Sequence, residues 1–273
     1  MDVVVSALPG DGGSAGYADL AIVAPFGVVL LDGASAFEPV DVHPATYART
    51  LGTCITALLR GQPDRTIADA VAEAISRTTT KLDLTAGASP SSTVAILRAR
   101  DDVVDLYVLG DSPIHYGAGD RSHQLVDERL ARVAQPEHDQ YVARLRAGHG
   151  YNDEHRRALI DLQHAQKRAR NAPGGYWIAE ATPEAAYHGL TATIDRGALA
   201  WAVLATDGAS DFLDHTGKSW SDIAHYDRPQ LNALLARIHE WEHDVDADGR
   251  QLPRAKRHDD KTLVTVSIHD SRD

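Results

Sequence analysis

The sequence predicts an α+β fold in which antiparallel sheets are covered by paired helices, and three observations carry that reading. Apolar, β-branched runs come in neighbouring pairs with a turn signal between them, amphipathic helical patterns also come in pairs, and the two kinds of segment are grouped instead of alternating. A parallel βαβ sheet needs a helix between successive strands, whereas hairpins followed by helix pairs give antiparallel sheets with helices on their outer faces.

The elements follow in order. Residues 20–31, LAIVAPFGVVLL, hold two apolar runs split by Pro25 and Gly27. Proline cannot donate to a ladder and glycine favours a turn, so two tightly joined buried strands are expected. The second run stops at Asp32-Gly33-Ala34-Ser35. Helical spacing then recurs twice, through Tyr47, Leu51, Ile55, Leu58 and Leu59 in 45–60, and through Ile67, Val71, Ala74, Ile75 and Leu82 in 67–82. Leu84 to Pro90 reads as a loop. Residues 92–98 (STVAILR) and 103–109 (VVDLYVL) read as a hairpin about Asp101-Asp102. Its second strand runs into Gly110-Asp111-Ser112-Pro113, with Ile114-His115-Tyr116 continuing beyond. From about 127 to 172 the chain is polar, rich in Arg and His, and helical in composition. This segment reads as an outer helical pair or flap, with His155 and His164 exposed, and Pro173-Gly174-Gly175 closes it. Strands are expected again at 176–178, 200–205 and 262–268, with an amphipathic helix at 229–243 through Leu231, Leu234, Leu235, Ile238 and Trp241. No repeat, low-complexity tract or linker divides the sequence, so 1–273 reads as one domain.

With 273 residues and 43% hydrophobic content, the chain can bury one substantial core. A formal net charge of -12 argues against non-specific binding to nucleic acid or to an anionic membrane surface. The one cysteine, Cys54, excludes an intramolecular disulfide and a Cys-based zinc site, and reads as a small hydrophobe on a helix. No apolar run approaches the roughly 20 residues that span a bilayer, and a reducing cytoplasm is the expected location.

Chemistry enters where strands end. VVLLDGAS (28–35), LYVLGDSP (106–113) and AVLATDGASD (202–211) each stop an apolar run at an aspartate beside a glycine, and Asp259-Asp260 precedes the last apolar run. Strand ends are rigid and converge at one edge of a sheet, and hard divalent cations take carboxylate and water oxygens. Glycines beside Asp32 and Asp207 let the backbone approach an ion. Any one Asp-Gly after a strand is more often only a turn.

In order and context these segments resemble the metal-dependent protein phosphatases of the 2C type. The matching residues are Asp32-Gly33, Ser91-Ser92-Thr93, Gly110-Asp111-Ser112, Asp207-Gly208-Ala209-Ser210-Asp211 and Asp259-Asp260, over roughly residues 15 to 268. The resemblance implies a four-layer α-β-β-α sandwich and a serine/threonine phosphoprotein phosphatase, or a hydrolase of small phosphomonoesters. It implies two Mn²⁺ or Mg²⁺ ions and a third, weaker position. Asp32 would bridge the two ions, with the Gly33 carbonyl on one of them; Asp207 and Asp259 would complete the other shell; Asp111 and Asp19 would lie near. A water bridging the cations would attack phosphorus in line, without a phosphoenzyme.

The sequence departs from that pattern at four places. Ser14 stands near the position of a phosphate-gripping arginine, Ala18 replaces an acidic residue, Pro113 replaces an arginine, and Asp260 replaces an asparagine. Arg121, an arginine of 144–170, or Lys261 are the available substitutes for the missing phosphate contact, and His258 is a candidate proton donor to the leaving alcohol. A catalytically silent binding module that kept the fold is the alternative reading.

Overall fold

Residues 1–11, 13–34, 36–119 and 121–269 are described by the computed structural model, with Ser14 and Ala15 described by their backbone alone. The chain begins with strand β1 (Asp2–Leu8), a single turn α1 (Gly13–Gly16) and the hairpin β2 (Leu20–Ala24)–β3 (Gly27–Leu31). Gly27 is obligatory in that hairpin: its φ is 148°, and a Cβ there would stand 2.0 Å from the Leu97 carbonyl oxygen. Helices α2 (Pro44–Gly61) and α3 (Ile67–Leu82) follow. α3 starts where the Thr66 hydroxyl accepts from the Asp69 N–H, and ends at Asp83 in the left-handed region. Next come β4 (Val94–Ala99), β5 (Val103–Leu109), β6 (Ile114–Ala118) and β7 (Arg121–Leu125), then the helical pair α4 (Gln135–Arg146) and α5 (Asp153–Ala169). The last third holds β8 (Leu190–Asp195), β9 (Trp201–Ala205), α6 (Asp207–Thr216), α7 (Trp220–Ile223), α8 (Arg228–Asp244) and β10 (Lys261–Ser267).

These strands form two five-stranded antiparallel sheets, ordered β1-β10-β9-β6-β7 and β2-β3-β4-β5-β8. Strands β3 and β9 are apolar at every position because both of their faces are covered. In β3, Val28 and Leu30 point at the other sheet, while Val29 and Leu31 point at α2 and α3. In β9, Ala202 and Leu204 face the other sheet, and Trp201, Val203 and Ala205 face α6 and α8. The period of two thus builds three stacked cores and the four-layer α-β-β-α sandwich. At about 1.5–3 kcal/mol for each fully buried aliphatic side chain, burial in these three cores is the dominant favourable contribution to the fold.

The polar stretch forms the α4–α5 hairpin. It has a small core of Tyr141, Leu145, Ala158, Leu159 and Leu162, against which Phe37 and Ala255 pack. His155 is buried here, with its Nε2 2.9 Å from the Ala255 oxygen, so the exposure expected for it is corrected; His164 is exposed and pairs with Glu38 at 2.7 Å. Tyr176–Ile178 is not a strand. It makes a single bridge, Arg170 to Tyr176, with Ala179 just beyond bridging to Ser92, and the burial of Tyr176 and Ile178 accounts for their apolar character. Strands β1, β7 and β8 were not anticipated. β7 (RSHQL) is a polar edge and β8 is half exposed, so neither carries an apolar signal.

Candidate metal centre

Both sheets present the ends of several strands to one side of the sandwich, and carboxylates collect there. Asp32 leaves β3, Asp111 follows β5, Asp207 opens α6 directly after β9, Asp259 precedes β10, and Asp19 precedes β2. All five sequence-expected aspartates come together: Asp32 feels the like charges of Asp207, Asp19, Asp259 and Asp111. A sixth joins them. Asp211 lies one helical turn after Asp207 on α6 and senses Asp111 and Asp259. Its signal in the sequence was its place as the last residue of the Asp207–Asp211 match, to which no ligand role was given; the start of a helix at Asp207 puts both on one face.

The backbone of Asp32 and the carboxylate of Asp19 are fixed by their surroundings. The Asp32 carbonyl accepts from the Thr93 N–H (2.9 Å) and the Ser92 hydroxyl (2.9 Å), while its N–H donates to Thr93 Oγ1 (3.2 Å). Thr93 Oγ1 in turn lies 2.6 Å from Ser112 Oγ. The Ser-Thr and Gly-Asp-Ser motifs therefore hold the bend that carries Asp32. Gly110 serves the same bend, with φ of 88° and a Cβ there standing a tight 3.0 Å from Thr93 Cγ2. Asp19, buried, accepts the Thr206 hydroxyl (2.7 Å) and the Thr262 hydroxyl (2.8 Å), both at Oδ2.

The glycines answer to chain packing. A Cβ on Gly208 would sit 2.1 Å from the Asp260 oxygen, and one on Gly33 would sit 2.9 Å from Ala18 Cβ and 2.9 Å from the Ala18 oxygen. Both glycines let two carboxylate-bearing segments lie against each other. Asp260 is not one of the convergent carboxylates: its Oδ1 accepts from the Gly10 N–H (2.9 Å) and its Oδ2 from the Ala18 N–H (2.8 Å). An asparagine could satisfy just one of those donors, which accounts for aspartate at this position.

The electrostatics are those of crowded like charge. Burial foremost, then Asp207 and its other acidic neighbours, raises Asp32 well above the usual carboxylate range. Asp207 and Asp211 open onto solvent, yet protein crowds their other sides. That desolvation, followed by Asp259 for Asp207 and by Asp111 for Asp211, raises both, Asp211 to about 7. Burial lifts Asp19 to about 7 against the two hydroxyl bonds that lower it. Lys256 is the cation in contact, its Nζ 2.7 Å from Asp259 Oδ1. Burial alone would lower its pKa, but Asp259 and then Asp207 and Asp260 raise it. Hard oxygen donors on rigid strand ends, in excess of the positive charge that faces them, fit divalent cations such as Mn²⁺ or Mg²⁺.

Beside these carboxylates lies a cleft of about 130 Å³, lined by Asp207, Asp211, Asp259, Tyr141, Phe212 and Arg254 among others. Tyr141 reaches it from α4, and burial with the charges of Asp211 and Asp207 pushes its hydroxyl up to about 12. Arg254 is committed elsewhere: it pairs with the buried Asp246 at 2.8 Å and donates to the carbonyls of Leu252, Asp246 and Arg257.

The proposed substitutes for the missing arginine fare unevenly. Lys261 is fully buried, with Nζ 2.8 Å from Glu242 Oε2 and 2.8 Å from the Asp259 carbonyl, so it cannot grip a phosphate. Arg170 donates to Tyr176 Oη and the Ser89 carbonyl, Arg144 pairs with Glu154, and Arg156 holds the Phe37 carbonyl. Arg121 stands exposed at the start of β7. The side chain of Ser14 lies outside the described residues. His258 is 5% exposed, with Nδ1 2.9 Å from Glu242 Oε2 and its ring stacked on His239 at 4.0 Å, a position in the core beside α8 that does not suit a proton donor in the cleft. His239, Glu242 and His258 converge closely enough to suggest an ion, but the Lys261 ammonium already neutralises Glu242. With Lys261 they form a network centred on the buried Lys261–Glu242 ion pair.

The fold is that of the PPM-type serine/threonine phosphatases. A bacterial serine phosphatase superposes with a TM-score of 0.60 at 10% identity, covering 100% of this chain and 99% of that one. The PPM Ser-Thr phosphatase MsPP from Mycobacterium smegmatis, solved with cacodylate, gives 0.56 at 14% identity over 98% and 99%. The catalytic domain of the serine threonine protein phosphatase PstP, solved with two manganese ions, gives 0.53 at 15% identity over 98% of both chains. No protein-family model and no curated protein matches the sequence.

Proposed function

We propose that this chain is a metal-dependent phosphomonoester hydrolase acting on phosphoserine and phosphothreonine in proteins, or on a small phosphomonoester. The observation that carries the reading is the convergence of six carboxylates, from five separate stretches of the chain, on one end of a PPM-type sandwich. Asp32 with the Gly33 carbonyl, Asp207 and Asp259 are the proposed ligands of two Mn²⁺ or Mg²⁺ ions, with Asp19 beside them. Asp111 and Asp211 are the proposed ligands of a third, weaker position. Two cations held there would supply Lewis acidity toward a phosphoryl group and a lowered pKa for an attacking water. The chain's own part is orientation. Ser92 and Thr93 fix the backbone of Asp32, Thr206 and Thr262 fix Asp19, and α6 presents Asp207 and Asp211 on one face. Tyr141 and Phe212 form the wall on which the rest of a substrate would rest. No cysteine nucleophile is needed, and Cys54 sits away on α2. Cytoplasmic location is proposed with this reading; among the described residues no helix is long and apolar enough to cross a membrane.

A second reading, a binding module without turnover, is favoured by the full commitment of Arg254 to Asp246 and backbone carbonyls, which leaves the cleft without that guanidinium for phosphate. Hydrolysis of para-nitrophenyl phosphate and of phosphopeptides with Mn²⁺ across pH 6–9 separates the two. The enzyme reading expects turnover that Asp207→Asn lowers by at least about 100-fold. Absence of turnover on both substrates, with Mn²⁺ bound, leaves the binding module.

A further inference from the structure

Lys256 lies three residues before Asp259 and reaches back over it. Its side chain is 30% exposed, that of Asp259 23%, and Nζ stands 2.7 Å from Oδ1. The same Oδ1 accepts from the Asp260 N–H at 2.8 Å, so both of these donors converge on one oxygen of Asp259. The other basic groups nearby have different fixed partners: Lys261 on Glu242, Arg254 on Asp246. Lys256 is thus a positive charge on a flexible four-carbon tether, seated against a carboxylate that the proposed centre needs for an ion.

We propose that Lys256 is a tethered counter-ion that competes with the divalent cation for Asp259 and thereby weakens the ion position to which Asp259 belongs. This inference rests on the metal-dependent reading above. An ion coordinated by Asp259 lies within a few ångströms of the ammonium unless the lysine swings away. Either outcome costs binding energy, as repulsion or as the lost ion pair and the loss of compensation for Asp207 and Asp260. The lysine thereby sets a threshold in free cation concentration below which the Asp259 position stays in the chain's own keeping.

The test is calorimetric titration of Mn²⁺ into the chelator-treated full chain, at fixed ionic strength, with no assay of activity. Lys256→Met keeps the apolar stem and removes the charge; it should bind Mn²⁺ about tenfold more tightly. The tightening should fall on the binding event that Asp259→Asn abolishes, and Lys256→Arg should stay within about threefold of wild type. The double variant Lys256→Met/Asp259→Asn should bind no better than Asp259→Asn alone. Unchanged affinity in Lys256→Met beside intact wild-type binding overturns this inference and spares the metal reading. So does a tightening that persists in the double variant, because the lysine would then act as a distant charge. If none of the variants nor the wild type binds Mn²⁺, the metal-dependent reading fails and takes this inference with it. Circular dichroism of each variant establishes that it is folded.

Discussion

At the scale of the residue, two neighbouring types of aspartate have opposite energetics. Asp207 starts α6 four residues before Asp211, and like charges at that spacing oppose each other on a helix even though the helix N-terminus favours an acid. Replacing Asp207 by Asn should therefore raise the stability of the protein without added metal by some tenths of a kcal/mol while removing Mn²⁺ binding, and urea unfolding with and without Mn²⁺ checks both signs. Asp260 behaves the other way. Its carboxylate holds the Gly10 and Ala18 N–H groups, and through them the segment that carries Asp19. Asp260→Asn turns an amide N–H₂ toward one of those donors and should cost about 1–3 kcal/mol, read as a fall in the urea midpoint at unchanged slope. A stabilised Asp207→Asn beside a destabilised Asp260→Asn would mark one carboxylate as functional and its near neighbour as structural.

At the scale of the element, the β4–β5 hairpin is pinned by one charge cluster. Asp105 on β5 accepts from the buried Arg98 of β4 (2.8 Å), from Arg100 (2.8 Å) and from Thr193 of β8 (3.0 Å), and Arg98 also reaches the Arg65 carbonyl (2.6 Å) in the α2–α3 connection. Burial works against the charged form, but the hydrogen bonds from Arg100, Arg98 and Thr193 prevail and hold the Asp105 carboxyl below its usual value. A depressed carboxyl stabilises the fold above its unfolded pKa, and that contribution fades as pH falls through the folded one. Asp105→Asn leaves Arg98 buried and uncompensated, at a cost of about 3 kcal/mol. The gap from wild type in thermal midpoint should hold from pH 9 to about 5 and narrow below about pH 4. A gap independent of pH down to 2 would refute the ionic account. Elements also show where sequence patterns lose force. The hairpins at 20–31 and 92–109 and the helices at 45–60, 67–82 and 229–243 were legible because each buries a face of fixed period. β7 and β8 were not, because an edge strand is held by its ladder and needs no apolar face. The apolar Tyr176–Ile178 misled for the converse reason: a buried irregular segment looks apolar while making no more than an isolated bridge.

At the scale of the whole molecule, the excess of acid has a place. Part of the formal net charge of -12 is gathered at one end of the sandwich, where six carboxylates converge and burial with like charge raises Asp32, Asp207 and Asp211. Cations bound there would stabilise the folded chain by mass action, because the unfolded chain does not assemble the site. Mn²⁺ at about 100 times its dissociation constant should add about 2.7 kcal/mol for each site, seen as a rise in the thermal midpoint. Ca²⁺-free chelator should reverse the rise, and Asp207→Asn should remove it; a midpoint insensitive to Mn²⁺ would count against the centre as a whole.

The sequence by itself determined the layers and the residues at their ends. Strand and helix periods are local, and an aspartate that stops an apolar run is visible without knowing what it faces. Only the tertiary structure decided who meets whom. Asp32 and Asp259 converge although most of the chain separates them, Asp211 joins because Asp207 begins a helix, Asp260 turns to Gly10 and Ala18, and Lys256 rather than Lys261 takes the acidic partner in the site. Residues 256 and 261 are both lysines beside the same Asp pair. Their difference lies in burial and in the distance to Glu242, and both are set by how β10 packs under α8.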